Sequence, residues 1–269
     1  MPAGKLRSCV LTIAGSDSCG GAGVQADLKA FAAAGVHGAS VITSVTAQNT
    51  LGVFAVDHVA EDMLLAQLDA VLDDLPVRAA KTGMLPSPLG IELIAARLAR
   101  CKPGIPLVVD PVLIATSGVE LSGQAAMHAL QQHIFPLATV ITPNLVEARA
   151  LTGLSVNSLE EMEIAGRKLL EHGCTGVLMK GGHLESGTIT DLLITAGGAL
   201  PFSHPAQPGT YHGTGCTLSA TVAAKLALGE RLKDAVAYAI GFVQECIRHS
   251  HLPERGTIRL LGVAPPAVR

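Results

Sequence analysis

The chain has 269 residues, of which 49% are hydrophobic and 15% are charged. This length and balance predict a single domain over residues 1–269 with a large buried core, and they exclude a disordered chain. A formal net charge of -3, with two Tyr, five Phe and no Trp, disfavours a nucleic acid partner, because phosphate backbones need a basic surface and unpaired bases need aromatic side chains.

Neither the cysteines nor the apolar segments indicate an exported or membrane protein. The six cysteines have no CxxC pair and no regular spacing, which argues against a disulfide framework or a zinc knuckle. Asp17 interrupts the apolar run at 10–14 before a signal sequence of useful length develops. The segment 30–56 lacks charged residues, but its glycines, Gln48 and Asn49 indicate a turn and a buried strand. We expect a cytoplasmic protein without a membrane partner.

Short apolar runs alternate with longer segments of helical period along the chain. This alternation predicts an α/β fold in which helices cover both faces of a mostly parallel sheet. Strands are expected at 10–14, 39–45, 79–82, 107–109, 140–142, 177–180 and 191–195. Two helices are expected from apolar residues that recur at helical spacing, namely Val24, Leu28 and Phe31 in the first and Leu64, Leu68, Val71 and Leu75 in the second. Further helices are expected over 89–100, 124–134, 159–172, 217–228 and 232–251.

Polar residues and glycines cluster where several of the predicted strands end. These clusters are GSD at 15–17, KTGM at 81–84, DP at 110–111, TPN at 142–144 and KGG at 180–182. In an open α/β sheet, ligands bind in the crevice outside the carboxyl ends of the strands. We therefore expect these clusters to form one site.

The segment HGTGCT at 212–217 stands before an apolar helical segment. Glycines let backbone N–H groups face an anion, and the helix start adds its positive end, so Gly213, Thr214 and Gly215 are candidates to hold a transferring phosphoryl group. Cys216 would lie near the helix N-terminus, where the pKa of a thiol tends to fall, and is a candidate general base. The alternative is a plain strand-to-helix turn with a buried cysteine. The residues alone leave both interpretations open.

A second glycine cluster, SCGGAG at 18–23, follows the first predicted strand. It lacks the G-x-G-x-x-G spacing of a dinucleotide-binding turn, and no acidic residue follows at the distance that a ribose hydroxyl requires. The P-loop pattern ending in Gly-Lys-Ser/Thr is also missing from the sequence. NAD binding is therefore disfavoured, and ATP would need a different cradle.

Oxygen donors and a lysine follow three neighbouring predicted strands. Asp110 and Glu147 are candidate ligands for an Mg²⁺ ion that the nucleotide brings. Asn144 and Lys180 are candidates to bind ATP. Lys180 precedes glycines that would let the backbone approach a phosphate. The alternatives are a turn at Asp110, a helix cap at Asn144 and a solvated lysine. The joint occurrence of Asp110 with Glu147 favours the metal. No histidine is assigned to a metal, because none has a partner at helical spacing.

Gln48 and Met84 follow strands near the expected crevice. A carboxamide pairs with a donor and an acceptor on a heteroaromatic edge, and a thioether packs on a ring face. The alternative is turn formation and core packing, and on the residues alone that alternative is preferred.

In this order the motifs resemble the hydroxymethylpyrimidine and phosphomethylpyrimidine kinases of thiamine biosynthesis, in the ribokinase superfamily. The resemblance covers nearly the whole chain. It rests on LTIAGSDS at 11–18, GGAGVQADLK at 20–29, SVTAQN at 44–49, KTGM at 81–84, DPV at 110–112, TPN at 142–144 with Glu147, KGGH at 180–183 and HGTGC at 212–216. It implies a ribokinase-like sheet of about eight strands and a homodimer.

The resemblance also implies two ATP-dependent steps. The hydroxymethyl group of 4-amino-5-hydroxymethyl-2-methylpyrimidine is phosphorylated first, and the monophosphate then becomes the diphosphate. By the same resemblance, Gln48 binds the pyrimidine, Gly15, Ala22 and Met84 line its pocket, and Cys216 stands where sugar kinases of the superfamily carry Asp. One departure is Cys19, in the loop over the substrate, where the family is expected to have glycine.

Two other functions remain in competition. A pyridoxal kinase of the same superfamily shares the anion hole and the nucleotide site, but Gln48 and the stretch 110–118 favour the pyrimidine. A non-catalytic regulator of the same fold is disfavoured because none of the motifs is degraded.

Overall fold

The computed structural model describes residues 8–101, 104–113, 123–181 and 187–263. Its strands are β1 Cys9–Ala14, β2 His37–Ile42, β3 Ser44–Asn49, β4 Gly52–His58, β5 Val77–Thr82, β6 Leu107–Val109, β7 Val140–Ile141, β8 Gly176–Met179, β9 Thr188–Thr195, β10 Gly198–Pro205, β11 Tyr211–His212 and β12 Arg259–Leu260. Its α-helices are α1 Gly23–Ala33, α2 Glu61–Leu72, α3 Pro88–Ala99, α4 Gln124–Ala129, α5 Leu145–Thr152, α6 Leu159–Leu170, α7 Thr214–Ala227 and α8 Leu232–Arg248.

The central sheet has eight strands in the order β10-β9-β8-β7-β6-β5-β1-β2. The pairs from β2 across to β8 are parallel, and β9 and β10 add two antiparallel pairs at one edge. The predicted α/β class and the mostly parallel sheet of about eight strands are confirmed.

Helices pack on both faces of the sheet. Buried residues of α2 to α6 form one hydrophobic cluster with it, and buried residues of α1, α7 and α8 form the other. Strand β1 shows how the sequence specifies this arrangement, because Leu11 and Ile13 face the first cluster and Val10 faces the second. A strand buried on both faces is apolar throughout instead of alternating.

The strand expected at 39–45 is wrong at its end. Strand β2 stops at Ile42, and the chain then forms a separate two-stranded ribbon in which β3 pairs antiparallel with β4. Val45 is 53% exposed and Phe54 is 67% exposed. The end of the predicted buried strand is therefore part of an exposed apolar ribbon.

Three further elements differ from the prediction for local reasons. Strand β10 was not predicted. It contains Pro201, which argues against a strand in the sheet interior but is tolerated at the sheet edge where β10 lies. Helix α7 begins at Thr214, before the expected 217, because Gly213 serves as its N-cap. The segment expected as one helix over 124–134 continues from α4 into a π-helical turn at Leu130–Ile134.

None of the helices in the described residues has both the length and the apolar character that a membrane span requires.

Candidate active site

The carboxyl ends of the parallel strands and the start of α7 enclose a cavity of about 220 Å³. Every residue that the sequence assigned to a site lines it, namely Gly15, Ala22, Gln48, Met84, Asp110, Asn144, Glu147, Lys180, Gly213, Thr214, Gly215 and Cys216. The turn before α7 thus faces the same space as Gln48 and Glu147. Two predicted stretches, 182–183 and 114–118, lie outside the described residues.

The turn before α7 presents backbone amides to the cavity. Gly213 has φ 80° and caps the helix without a side-chain hydrogen bond, so the first N–H groups of α7 have no partner within the helix. A β-carbon at Gly213 would overlap the carbonyl oxygen of Gly21, and positive φ also disfavours other residues. Glycine is therefore required here for both conformation and space, and the turn can hold an anion.

Cys216 lies in the first turn of α7, half-buried at the cavity wall. Burial raises the pKa of its thiol to about 11, while the nearby Lys81 ammonium and a hydrogen bond from the Gly23 amide act in the opposite direction. The expectation of a lowered pKa at the helix start is wrong, because the loss of solvent around the thiol outweighs those favourable contacts.

Lys180 and Asp110 form an ion pair beside the helix start. Lys180 Nζ lies 3.1 Å from Asp110 Oδ1, and a β-carbon at Gly215 would lie 3.1 Å from the same Nζ. The Asp110 carboxylate also accepts hydrogen bonds from Thr142 and Ser219 at 3.2 and 3.3 Å. Burial opposes ionisation of Asp110, but Lys180 and Lys81 outweigh it and lower its pKa. The carboxylate is therefore ionised and fixed next to the amides of α7.

Asn144 and Glu147 begin helix α5 as a reciprocal capping box. Asn144 Oδ1 accepts from the Glu147 amide at 2.9 Å, and Glu147 Oε2 accepts from the Asn144 amide at 2.8 Å. The alternative that Asn144 caps a helix is thus confirmed. Burial raises the pKa of Glu147 even though Lys180 acts against it. Both side chains still face the cavity, so a capping role and ligand binding are compatible.

Asp110 and Glu147 are suitable ligands for Mg²⁺, although two carboxylates supply only part of its coordination. Both offer hard oxygen donors at one end of the cavity, and Mg²⁺ commonly keeps several waters while using one or two carboxylates and the substrate phosphates. Within the residues that the structure describes, the group with three metal-binding side chains close together is a different one, Asp17, Cys19 and His212.

Gln48 and Met84 also line the cavity. Gln48 Oε1 accepts from Thr46 Oγ1 at 3.3 Å, and its Nε2 lies 3.5 Å from His212 Nε2. Met84 is 7% exposed, and a β-carbon at Gly15 would lie 2.5 Å from its Cε. The Gln48 carboxamide and the Met84 thioether therefore border the same cavity.

Among the lining residues without a role assigned from the sequence are three with ionisable side chains, Asp17, Lys81 and His212. Asp17 Oδ2 accepts from the amides of Gly21 and Ala22 at 2.9 and 2.7 Å and from His212 Nε2 at 2.9 Å. Burial opposes ionisation of Asp17, but these donors outweigh it and lower its pKa. The sequence signal for these contacts is the position of Asp17, an acidic residue just before a glycine loop.

Lys81 extends beneath Cys216 and is fully buried. Its Nζ bonds both oxygens of Asp27, at 3.0 and 2.8 Å, and Thr12 Oγ1 donates to Asp27 Oδ2 at 2.6 Å. Burial opposes the charged ammonium, but the attraction of Asp27 outweighs it and raises the pKa of Lys81. Lys81 therefore carries a positive charge at the cavity lining.

Val112 is a strained residue in the same cavity. Its φ is 32°, a conformation that β-branched residues rarely adopt. The amide of the following residue, Leu113, donates to Glu147. This contact ties the strained segment to the capping box, and strain of this kind is concentrated at functional sites.

Helices cover both faces of a mostly parallel sheet, and a glycine turn opens onto its carboxyl edge. Solved small-molecule kinases share this architecture with the chain, which therefore has the ribokinase-like kinase fold. A model of the family described as phosphomethylpyrimidine kinase matches residues 17–260. The chain belongs to this family, and the family and enzyme class predicted from the motifs are confirmed.

Curated relatives and one solved structure agree with this assignment. The hydroxymethylpyrimidine/phosphomethylpyrimidine kinase of Rhizobium meliloti is 47% identical over 90% of this chain and 91% of that protein. The thiamine biosynthesis bifunctional protein ThiED of Geobacter sulfurreducens is 43% identical over 93% of this chain, which spans about half of it, 51%. The crystal structure of phosphomethylpyrimidine kinase from Clostridium difficile is 42% identical with a TM-score of 0.79, covering 90% of this chain and 100% of that chain.

Pyridoxal kinases share the architecture at lower identity. The Staphylococcus aureus pyridoxal kinase in complex with pyridoxal superposes with a TM-score of 0.88, is 31% identical, and covers 97% of this chain and 95% of its own. Backbone similarity thus slightly favours this neighbour, whereas sequence identity favours the pyrimidine kinases. Because one fold hosts both activities, the side chains in the pocket carry more weight than the backbone superposition.

Proposed function

We propose that this chain is a single-domain cytoplasmic enzyme that uses ATP to phosphorylate 4-amino-5-hydroxymethyl-2-methylpyrimidine and then its monophosphate, for thiamine biosynthesis. The observation that carries the proposal is the single cavity in which the amide-lined turn at 213–216 faces the Gln48 and Met84 pocket. A hydroxymethyl group on a ring held by Gln48 would point towards the turn that stabilises the transferring phosphoryl group.

Charge stabilisation and positioning are the main tasks of this site. Phosphoryl transfer passes through a loose transition state with its charge on the equatorial oxygens, so little covalent chemistry is required of the protein. The amides of Gly213 to Cys216 and the Lys180 ammonium supply fixed positive charge for those oxygens. Solved pyridoxal kinases of this fold bind ADP and AMP-PCP, which supports ATP as the phosphoryl donor.

Cys216 is the proposed general base, and its environment sets a condition on that role. With a pKa of about 11, the thiol must lose its own proton before it can accept one from the substrate hydroxyl. Lys81, the Gly23 amide and the start of α7 all favour the thiolate. Lys81 is therefore a positioning residue for the base, since it acts through Cys216.

Asp110 and Glu147 would hold Mg²⁺, directly or through water, with Asn144 and Lys180 at the nucleotide. Bound Mg²⁺ would neutralise charge on the phosphates. Lys180 then keeps Asp110 ionised, which the structure supports through the lowered pKa of that carboxyl group.

Product analysis tests the proposed activity. The purified chain is incubated with ATP, Mg²⁺ and the hydroxymethylpyrimidine, and mass spectrometry should detect the monophosphate and then the diphosphate. The same assay with pyridoxal measures the competing activity. We expect a much greater kcat/KM for the pyrimidine, and an equal or reversed preference would overturn the assignment in favour of a pyridoxal kinase.

We also propose a homodimer formed through the ribbon of β3 and β4. Val45, Leu51 and Phe54 are 53%, 61% and 67% exposed, and a group of large exposed apolar side chains is typical of an interaction surface. Light scattering should give a dimer for the wild type and a monomer for Phe54→Asp. Leu228→Asp, at an exposed position outside the ribbon, is the matched control and should remain dimeric. A dimeric Phe54→Asp variant would contradict the proposed interface.

A further inference from the structure

Three side chains with metal-binding atoms converge beside the pyrimidine pocket. Asp17 and Cys19 lie in the loop after β1, and His212 ends β11. One ligand atom from each lies within 4.8 Å of the other two. Asp17 Oδ2 is 2.9 Å from His212 Nε2 and 3.4 Å from Cys19 Sγ. The sequence assigned no role to this trio, and the proposed phosphoryl transfer does not use it.

The trio is held in place before any ion arrives. Asp17 and His212 are 2% and 4% exposed, and the Asp17 carboxylate accepts from the backbone amides of Cys19, Gly21 and Ala22. The backbone of Gly21 packs directly against the His212 ring. Two of the three ligands therefore have little freedom to lose on binding, and preorganisation of this kind favours affinity.

The donor set suits a thiophilic divalent cation. Carboxylate, thiolate and imidazole are the ligands of Zn²⁺, with bonds of about 2.0–2.3 Å. Tetrahedral coordination at those bond lengths separates an oxygen from a nitrogen by about 3.4 Å and an oxygen from a sulfur by about 3.6 Å. The observed 2.9 and 3.4 Å require shifts of only a few tenths of an ångström.

Charge balance and geometry also agree. An ionised Asp17 and a Cys19 thiolate together neutralise a divalent cation, and His212 adds a neutral nitrogen. The ion would displace the thiol proton to solvent, while the proton on His212 Nε2 would move to Nδ1. Burial, with the Asp17 hydrogen bond in the same direction, raises the pKa of the Cys19 thiol to about 11, so displacing this proton opposes binding. Asp17 and His212 line the cavity together with Gln48, whose Nε2 lies 3.5 Å from His212 Nε2.

We propose that Asp17, Cys19 and His212 form a binding site for Zn²⁺ at the mouth of the pyrimidine pocket, and that the bound ion blocks entry of the pyrimidine. The inhibitory part rests on the proposed function, but binding of the ion does not. Cys19 makes this site specific to chains that carry a thiol in the loop, since a glycine there would leave only two ligands.

Direct binding is measured on the full chain without nucleotide. Calorimetry with ZnCl₂ should give one ion per chain, and X-ray absorption should show one sulfur with nitrogen and oxygen neighbours. Cys19→Ala keeps the backbone hydrogen bond to Asp17 and should weaken the Kd on the order of 100-fold. Cys101→Ala removes another half-buried cysteine, remote from this trio in the sequence, and should leave the Kd unchanged. Thermal unfolding without zinc verifies that both variants fold.

Cys216 is the thiol that lines the active-site cavity, whereas Cys19 lines a neighbouring pocket, so Cys216 provides the decisive comparison. If Cys19→Ala retains wild-type zinc affinity while Cys216→Ala loses it, the proposed site is wrong. A second variant, His212→Gln, should also weaken binding, and unchanged affinity there would equally overturn the trio.

Inhibition is then measured with saturating Mg²⁺ and ATP. Zinc should raise the KM for the hydroxymethylpyrimidine in the wild type and in Cys101→Ala, and its effect should largely disappear in Cys19→Ala. Zinc binding without a change in KM would refute the inhibitory role. Zinc binding to a chain that does not phosphorylate the pyrimidine would refute the proposed function and leave the metal site standing.

Discussion

Lys81 and Asp27 form an ion pair with no exposed surface, with Nζ 2.8 Å from Oδ2. Lys81→Met keeps a long apolar stem in the same space but leaves the Asp27 carboxylate with one hydrogen bond, from Thr12. Removing one partner of a buried pair costs about 3–5 kcal/mol, because the other charge stays buried and uncompensated. Against a typical total of about 5–15 kcal/mol, we expect a severe loss of unfolding free energy.

The double variant Lys81→Met, Asp27→Leu separates this cause from general disruption. Replacing both charges by apolar side chains removes the uncompensated carboxylate, so the double variant should be more stable than Lys81→Met alone. Urea unfolding followed by circular dichroism measures the free energy of unfolding of the wild type, Lys81→Met, Asp27→Leu and the double variant. If Lys81→Met costs less than about 1 kcal/mol, or if the two costs simply add, an uncompensated buried charge is not the cause.

The same substitution has a chemical consequence at Cys216. The Lys81 ammonium opposes the burial that raises the pKa of the thiol, so Lys81→Met should raise that pKa further. Alkylation of Cys216 by iodoacetamide, followed by peptide mass spectrometry against pH, measures the shift. Cys101, a free cysteine outside the cavity, is the internal control. An unchanged pH profile for Cys216 would show that Lys81 only stabilises the fold.

Three further outcomes are expected. Gly213→Ala should lower kcat on the order of 100-fold, since its β-carbon overlaps the carbonyl of Gly21 and displaces the amides; an unchanged kcat would refute their role. Cys216→Ala should lower kcat by about 10²–10⁴-fold, and near-full activity would exclude proton abstraction by this thiol without excluding phosphoryl transfer. The hydrogen bond to Asp191 raises the pKa of His204 above 6.5. The stabilisation from protonated His204 is therefore complete below pH 6.5 and is lost as the pH rises through the raised pKa. The Tm of the wild type should fall over that pH range, and His204→Gln should remove this pH dependence.

The sequence predicts those parts of the fold that depend on local pattern. Apolar runs such as 10–14 and 107–109 become central strands, because a strand covered on both faces has no polar alternation. The ribbon of β3 and β4 could not be recognised in this way, since an exposed apolar surface and a buried strand have the same composition. Strand β10 was missed because Pro201 excludes a central position but not an edge.

The site residues were predictable because they follow strand ends, whereas their electrostatics were not. Asp17 meets His212 across 195 positions and Lys81 meets Asp27 across 54, and no local pattern indicates such pairs. The pKa of Cys216 depends on burial, two carboxylates and one ammonium together. The helix start alone predicts a lowered pKa for this thiol, whereas burial dominates and raises it.

The distribution of charge around the cavity explains why the amides of α7 matter so much. Lys81 and Lys180 are the lysines that line the cavity, and each is already paired with a carboxylate. The acidic side chain of Asp17 faces the same space, so the side chains alone offer little net positive charge to a polyphosphate. The attraction for phosphate then comes mainly from the amides at the start of α7 and from the proposed Mg²⁺, with Lys180 adding to it although it is paired with Asp110. The Mg²⁺ that accompanies the nucleotide would therefore supply part of the positive charge that binds its phosphates. The protein contributes the dipole at the start of α7 instead of unpaired cationic side chains.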